Sequence, residues 1–178
     1  MARSLSSSLF GVLVLSLILL QGVLAFIDSG IYVIRAVDAE FLSFQHVYPP
    51  MDSPARLSDN GLPTRWEVKK VEGGYTIRED RDFKYRYGLI QRDNAVWVSG
   101  YEEPQTWAIN NADSGLYTIG AAYGDLLVTE TADKYPQVIL EPATGSNAQK
   151  WEFIRIDREE RSSGRLYGQS RFNRQCAM

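Results

Sequence analysis

The sequence has few of the side chains on which enzymatic and metal chemistry most often depend. It contains one histidine, His46, and one cysteine, Cys176. A catalytic triad would have to use His46, and no nucleophile motif such as Gly-x-Ser-x-Gly accompanies it. A metal site needs a cluster of ligands, and no glycine-rich phosphate loop precedes a predicted helix. We therefore expect a protein that is not an enzyme and that uses no metal or cofactor.

A single cysteine also excludes an internal disulfide, so the fold depends on its hydrophobic core. Cys176 lies in residues 158–178, which hold five Arg, two Glu and few large aliphatic side chains. This composition predicts a disordered basic tail, because it cannot bury enough apolar surface to order itself. Its odd cysteine is either a free thiol, which we favour, or an intermolecular link. Residues 26–157 instead carry 13 Lys and Arg against 20 Asp and Glu, and this acidic balance disfavours nucleic acid as a partner.

The one long apolar run, "LFGVLVLSLILL", follows Arg3 near the start of the sequence. Small side chains follow it at Val23 and Ala25. This order is typical of a secretory signal peptide, here residues 1–25. The run is shorter than the roughly 20 residues that a membrane-spanning helix needs, which favours removal over anchoring. We expect a secreted protein with no membrane attachment after cleavage.

Two short phrases recur along the rest of the chain with nearly the same spacing. A tryptophan followed two residues later by an apolar residue occurs at intervals of 41 and 44 residues, at Trp66, Trp107 and Trp151. A tyrosine followed two residues later by isoleucine occurs at intervals of 43 and 42 residues, at Tyr32, Tyr75 and Tyr117. Because two independent marks keep one period, the sequence predicts an internal repeat.

Each repeat has the pattern of short β-strands. Apolar and polar residues alternate around the tyrosines and tryptophans, and Gly, Pro, Asn and Asp cluster between the runs. A propeller needs at least four blades, and a three-unit solenoid would leave exposed ends, whereas closure around a threefold axis leaves few open edges. The sequence therefore predicts an all-β fold over residues 26–157, a β-trefoil of three four-stranded repeats of about 42 residues. The repeated tryptophans would occupy equivalent core positions.

Side chains fill the interior of a small closed barrel, so binding falls to the surface loops. The loop between "EFLSFQ" and "RLSD" carries three of the seven prolines and would expose Tyr48 and Met51. Prolines restrict the unbound loop, so less ordering entropy is lost when a partner binds. The loop is either a binding element or a stiff connector.

The order of the core motifs, from "GIYVI" and "RWEV" through "GGYTI", "QTWAI" and "GLYTI" to "QKWEF", resembles the fungal β-trefoil serine-protease inhibitors of the cospin-like group. The resemblance spans residues 28–157. It implies a secreted inhibitor that inserts a rigid loop into the active site of a protease. On this sequence the protease-binding loop comprises Tyr48, Pro49, Pro50, Met51, Asp52, Ser53, Pro54, Ala55 and Arg56.

Two side chains of that loop are candidates for the specificity pocket of the protease. Arg56 would suit a trypsin-like pocket, unless it begins the third strand instead. Met51 would suit a chymotrypsin- or subtilisin-like pocket, although Asp52 directly after it is unfavourable. A second candidate loop for another protease comprises Glu79, Asp80, Arg81, Asp82, Phe83 and Lys84.

The alternative resemblance is to ricin-B-type lectins, which carry Gln-x-Trp in their repeats and would make carbohydrate the partner. Gln105 and Gln149 match that phrase, whereas Thr64 departs from it. Acidic residues lie roughly where a lectin's sugar-binding acid occurs, without the usual Cys-Leu-Asp phrase, at Asp38, Asp82 and Asp125. A mycocypin-like inhibitor of cysteine proteases is the second alternative. In every case we expect a monomer.

Overall fold

The computed structural model describes residues 26–37, 40–45, 51–58, 63–81, 86–121, 124–131 and 137–156. Several predictions concern residues outside these ranges, namely the signal peptide 1–25, the tail 158–178, and Asp38, His46, Tyr48, Pro49, Pro50, Asp82, Phe83 and Lys84. The division into signal, domain and tail stays a prediction. Within the described ranges, no helix has the length and apolar character that crossing a membrane requires.

The described residues form thirteen β-strands and one short 3₁₀ helix, Asn147–Gln149, so the prediction of an all-β fold is confirmed. The strands are β1 Gly30–Ala36, β2 Phe41–Ser43, β3 Ser53–Pro54, β4 Arg56–Ser58, β5 Trp66–Val71, β6 Gly74–Glu79, β7 Gly88–Arg92, β8 Ala95–Ser99, β9 Trp107–Asp113, β10 Leu116–Ala121, β11 Leu126–Glu130, β12 Val138–Pro142 and β13 Trp151–Arg155.

Six of the strands pair into a closed antiparallel ring. The order around the ring is β1, β5, β6, β9, β10 and β13, and β13 pairs back to β1. Most of the other strands pair as the hairpins β2–β4, β7–β8 and β11–β12. Closure leaves the ring without an exposed strand edge, which suits a chain that has no disulfide to hold it.

The same cross-strand pair recurs three times in the ring. The tyrosine of each predicted repeat lies opposite the tryptophan that ends the repeat, giving Tyr32–Trp66, Tyr75–Trp107 and Tyr117–Trp151. All three tryptophans are fully buried. Each indole N–H donates to a backbone carbonyl in the first strand of a hairpin, at 3.0, 3.2 and 3.0 Å, on Leu42, Leu89 and Val128 respectively. The repeat tryptophans, Trp66, Trp107 and Trp151, therefore join the ring to its hairpins three times over.

The β5–β6 turn shows why glycine is needed where the ring strands approach one another. Gly74 has φ +154°, and a Cβ there would collide with the backbone oxygen of Trp107. The turn between β9 and β10 also uses a left-handed glycine, Gly115, with φ +81°. Both turns connect neighbouring strands of the ring, where a bulkier residue would strain the backbone.

Candidate binding site

The second half of the predicted protease-binding loop is part of the sheet. Ser53 and Pro54 form β3 and pair with β8. Ala55 is fully buried, and its N–H donates to the carbonyl of Val96 at 2.8 Å. This part of the loop is therefore fixed against the hairpin β7–β8 and holds the residues before it.

Arg56 lies in β4 and not at the tip of a loop. It pairs with Ser43 in the β2–β4 hairpin, and its exposed guanidinium donates to Gln45 Oε1 at 3.3 Å. A side chain that enters a protease pocket needs backbone that can pair with the cleft. The backbone of Arg56 already belongs to a hairpin, so its placement favours the strand alternative.

Met51 is the exposed apolar side chain in the described part of this loop. Met51 is 54% exposed, and it lies two residues before Ser53, which pairs with β8. A methionine side chain is unbranched and polarizable, so it adapts to apolar pockets of irregular shape. The arrangement presents a flexible apolar side chain on an anchored backbone. Residues 51–55 are called the Met51 segment below.

Asp52 anchors the Met51 segment through a guanidinium. Arg92 Nη2 donates to Asp52 Oδ2 at 2.6 Å and to Glu102 Oε1 at 2.6 Å. Burial raises the pKa of the Asp52 carboxyl, but the nearby Ser99 side chain and the Arg92 guanidinium outweigh it and hold the pKa below its ordinary value. The side chain of Asp52 is only 20% exposed. Its charge is thus balanced within the protein, which weakens the objection to an acid directly after Met51.

A turn at residues 99–102 lies beside the Met51 segment. Ser99 is fully buried, and its hydroxyl oxygen accepts the backbone N–H groups of Tyr101 and Glu102 at 3.1 and 3.0 Å. This serine-centred turn presents Tyr101, whose side chain is 63% exposed. The turn, called the Tyr101 turn below, was not predicted as a functional element. In the sequence, the turn is marked only by a tyrosine followed by two glutamates.

The fourth tryptophan, Trp97, belongs to this surface and not to the core. It lies opposite Pro54 in the β3–β8 pair and is half-buried. The guanidinium carbon of Arg92 lies 5.0 Å from the centroid of its ring, within range of a cation–π interaction. Arg92 therefore contacts an aromatic ring as well as two carboxylates.

The described part of the second candidate loop has two ion pairs, one within the loop and one to Arg65. Glu79 is 2% exposed, and its carboxylate lies 2.8 Å from Arg81 Nε. Burial raises the pKa of Glu79 to about 7, with Arg81 opposing the shift and Asp80 adding to it. Asp80 in turn accepts from Arg65 at 2.7 Å. These residues anchor a strand end, and the rest of this loop lies outside the described residues.

Both glutamines of the Gln-x-Trp phrase have structural hydrogen bonds. Gln149 is fully buried, accepts from the Thr144 N–H at 2.7 Å, and donates to Thr129 Oγ1 at 3.1 Å and to the Pro142 carbonyl at 2.9 Å. The side-chain oxygen of Gln105, Oε1, accepts from the backbone N–H of Gln91 in β7. The phrase therefore serves the fold in both repeats. Asp125, the described member of the three acids, is exposed.

No protein-family model matches the chain, and no curated protein sequence does. A proteinase inhibitor from Coprinopsis cinerea superposes with a TM-score of 0.57 at 14% identity, over 74% of this chain and 100% of the inhibitor. A ricin B-like lectin from Macrolepiota procera, solved with lactose, gives 0.56 at 15% identity, over 74% and 99%. The designed threefold-symmetric protein ThreeFoil gives 0.57 at 16% identity, over 71% and 99%. At these identities the likeness concerns the fold alone.

Proposed function

We propose that this chain is a secreted β-trefoil inhibitor of serine proteases that inserts Met51 into the specificity pocket of its target. The observation that carries the proposal is an exposed apolar residue, Met51 at 54%, followed directly by residues that an ion pair and sheet pairing hold in place. The six-stranded ring and its three tyrosine–tryptophan pairs support the trefoil assignment. The likeness to a proteinase inhibitor is in keeping with it.

Rigidity is what an inhibitory loop of this kind requires. A loop that is already ordered loses little conformational entropy when it enters a cleft, so more of its contact energy appears as affinity. Here Ser53 and Pro54 pair with β8 after Met51, and Asp52 is held by Arg92. Two prolines precede Met51 in the sequence and restrict the backbone before it.

The side chain at the tip selects the class of target. Met51 is long, unbranched and uncharged, and it suits the apolar pockets of chymotrypsin- and subtilisin-like proteases. Trypsin-like proteases need a cation in that pocket, and Arg56 lies within a hairpin strand. We therefore expect inhibition of chymotrypsin or subtilisin and little inhibition of trypsin.

Inhibition constants for chymotrypsin, subtilisin, trypsin and papain test the proposal. Met51→Ala should raise the inhibition constant by about 30-fold or more, the loss of at least 2 kcal/mol that is typical of a central anchor. Arg56→Ala is the matched control within the same loop and should leave it unchanged. Thermal unfolding of each variant checks that both remain folded. Undiminished inhibition by Met51→Ala would contradict the proposal.

Carbohydrate binding is the second candidate, because a lectin solved with lactose shares the fold. A glycan array with the same purified protein separates the two functions. Clear sugar binding without inhibition of any of the four proteases would favour the lectin. Inhibition of papain alone would favour a cysteine-protease inhibitor of the mycocypin type.

A further inference from the structure

The Arg92 side chain joins the Tyr101 turn to the Met51 segment, although Met51 and Tyr101 lie 50 positions apart in the sequence. The Ser99 hydroxyl accepts two backbone N–H groups and so fixes the shape of the turn. Arg92 bridges Asp52 to a glutamate of the turn, with 2.6 Å to each. The position of one element therefore fixes the position of the other.

The exposed side chains of the two elements have the composition of an interface centre. Within the described part of the chain, four large hydrophobic residues are exposed, and two of them, Met51 and Tyr101, lie on these joined elements. Half-buried Trp97 and Arg92 stack beside them. Aromatic residues, Met and Arg are enriched at the cores of protein interfaces, and Trp, Tyr and Arg dominate their energetics.

The Met51 segment alone is too small for a tight complex. A specific interface covers roughly 800 Å² of each partner, contributed by about 20–30 residues. In the described part of the predicted loop, Ser53 and Ala55 are buried and Pro54 is half-buried. A neighbouring element has to supply further contacts, and the Tyr101 turn is tied to this segment directly.

We infer that Tyr101 is a second contact residue for the protease, outside its primary pocket, and that Arg92 is the positioning residue that holds Tyr101 and Met51 in one fixed arrangement. This inference rests on the proposed function. It commits to a protease as the occupant of the surface, because the element joined to the turn is the one that would enter the protease cleft. Tyr101 adds a large, amphipathic ring that loses little side-chain entropy on binding.

Tyr101→Ala tests the contact. It should raise the inhibition constant for the protease that Met51 targets by about 10-fold, mostly through faster dissociation. Phe26→Ala is the matched control, since Phe26 is a similarly exposed aromatic residue, 58% against 63%, and it packs under Lys70 at the end of β5. The control should change the constant less than twofold, and neither variant should lower the melting temperature.

The outcomes separate the inference from the function on which it rests. If Met51→Ala loses inhibition and Tyr101→Ala does not, the second contact is refuted and the inhibitor stands. If the unaltered protein inhibits none of the four proteases, both are refuted. If Tyr101→Ala instead abolishes binding on a glycan array, the surface belongs to a carbohydrate.

Arg92→Ala tests the positioning role with a readout that a purely structural residue would not move. The freed segment should behave more as a substrate, so the protease should hydrolyse the bond after Met51 at least 10-fold faster. Water then adds across that bond, leaving a new carboxyl terminus at Met51 and a new amino terminus at Asp52, which mass spectrometry detects. Arg65→Ala breaks a similar ion pair, at 2.7 Å to Asp80, next to the ends of β5 and β6, which do not carry the segment. Equal cleavage of the two variants would overturn the role of Arg92.

Discussion

The repeat tryptophans and Trp97 are the same residue in opposite settings. Trp66, Trp107 and Trp151 are fully buried, and each donates its indole N–H to a hairpin carbonyl. Trp97 occurs once, outside the repeat, and is half-buried under Arg92. The chain thus repeats the tryptophan positions that stabilise its core, and it departs from the repeat at the surface for which we propose a binding role.

Truncating a repeat tryptophan should have the largest effect on stability. Trp107→Ala removes a fully buried indole and leaves a cavity, so we expect it to lower the free energy of unfolding by about 3–5 kcal/mol. Trp97→Ala, the control at a half-buried position, should cost about 1–2 kcal/mol, since much less surface is removed from the interior. Urea unfolding of both variants measures the difference. Equal losses would remove the distinction between core and surface.

A second prediction concerns Glu79, which lies where the core meets the second candidate loop. Because burial raises its pKa from 4.5 to about 7, the uncharged carboxyl favours the folded state. This stabilisation is fully present below pH 4.5 and is lost as the pH rises through about 7. Its full extent is about 3 kcal/mol. The protein should therefore unfold more easily at pH 8 than at pH 5.

Glu79→Gln isolates that effect, because glutamine mimics the uncharged carboxyl at every pH. Urea unfolding at pH 5 and pH 8 should show a smaller stability difference for the variant than for the unaltered protein. The other titrating groups are common to both proteins and cancel in the comparison. Glu67→Gln is a matched control, since Glu67 also pairs with an arginine but is 35% exposed at its side chain. A pH dependence unchanged by Glu79→Gln would contradict the role of this carboxyl.

The core could be predicted from the sequence because the patterns that mark its residues are local or periodic. Alternation of apolar residues marks strands such as β5 and β6, and the tyrosine and tryptophan phrases keep nearly one spacing across the three repeats. Strand β3 could not be predicted from the sequence, because it is two residues long and contains Pro54. Its strand conformation depends on pairing with β8, and nothing in the sequence of β3 itself indicates that contact.

The candidate site could be predicted only in part, because it also depends on contacts between residues far apart in the sequence. The prolines and Met51 single out the loop in the sequence. Arg92 lies 40 residues from Asp52 and 10 from Glu102, so nothing local indicates that it bridges them. Tyr101 could not be predicted as a site residue, because only the contacts of Ser99 and Arg92 place it beside that loop. Periodicity reports on repeated core positions, whereas a site that occurs once depends on tertiary contacts.

Substitutions in the Gln-x-Trp phrase should have the smallest effect on stability, and they compare a buried with an exposed position of the same repeated phrase. Gln149 is fully buried and satisfies Thr144 and Pro142 backbone groups, whereas Gln105 is exposed and accepts one backbone N–H. Gln149→Ala should cost about 2 kcal/mol, because it leaves buried polar groups without partners, and Gln105→Ala about 0.5–1 kcal/mol, because water replaces the lost bond. Urea unfolding measures both. Neither change should alter the inhibition constant, since both glutamines support the ring and hairpins. Weaker binding on a glycan array without a loss of stability would instead give the phrase a direct role in sugar binding.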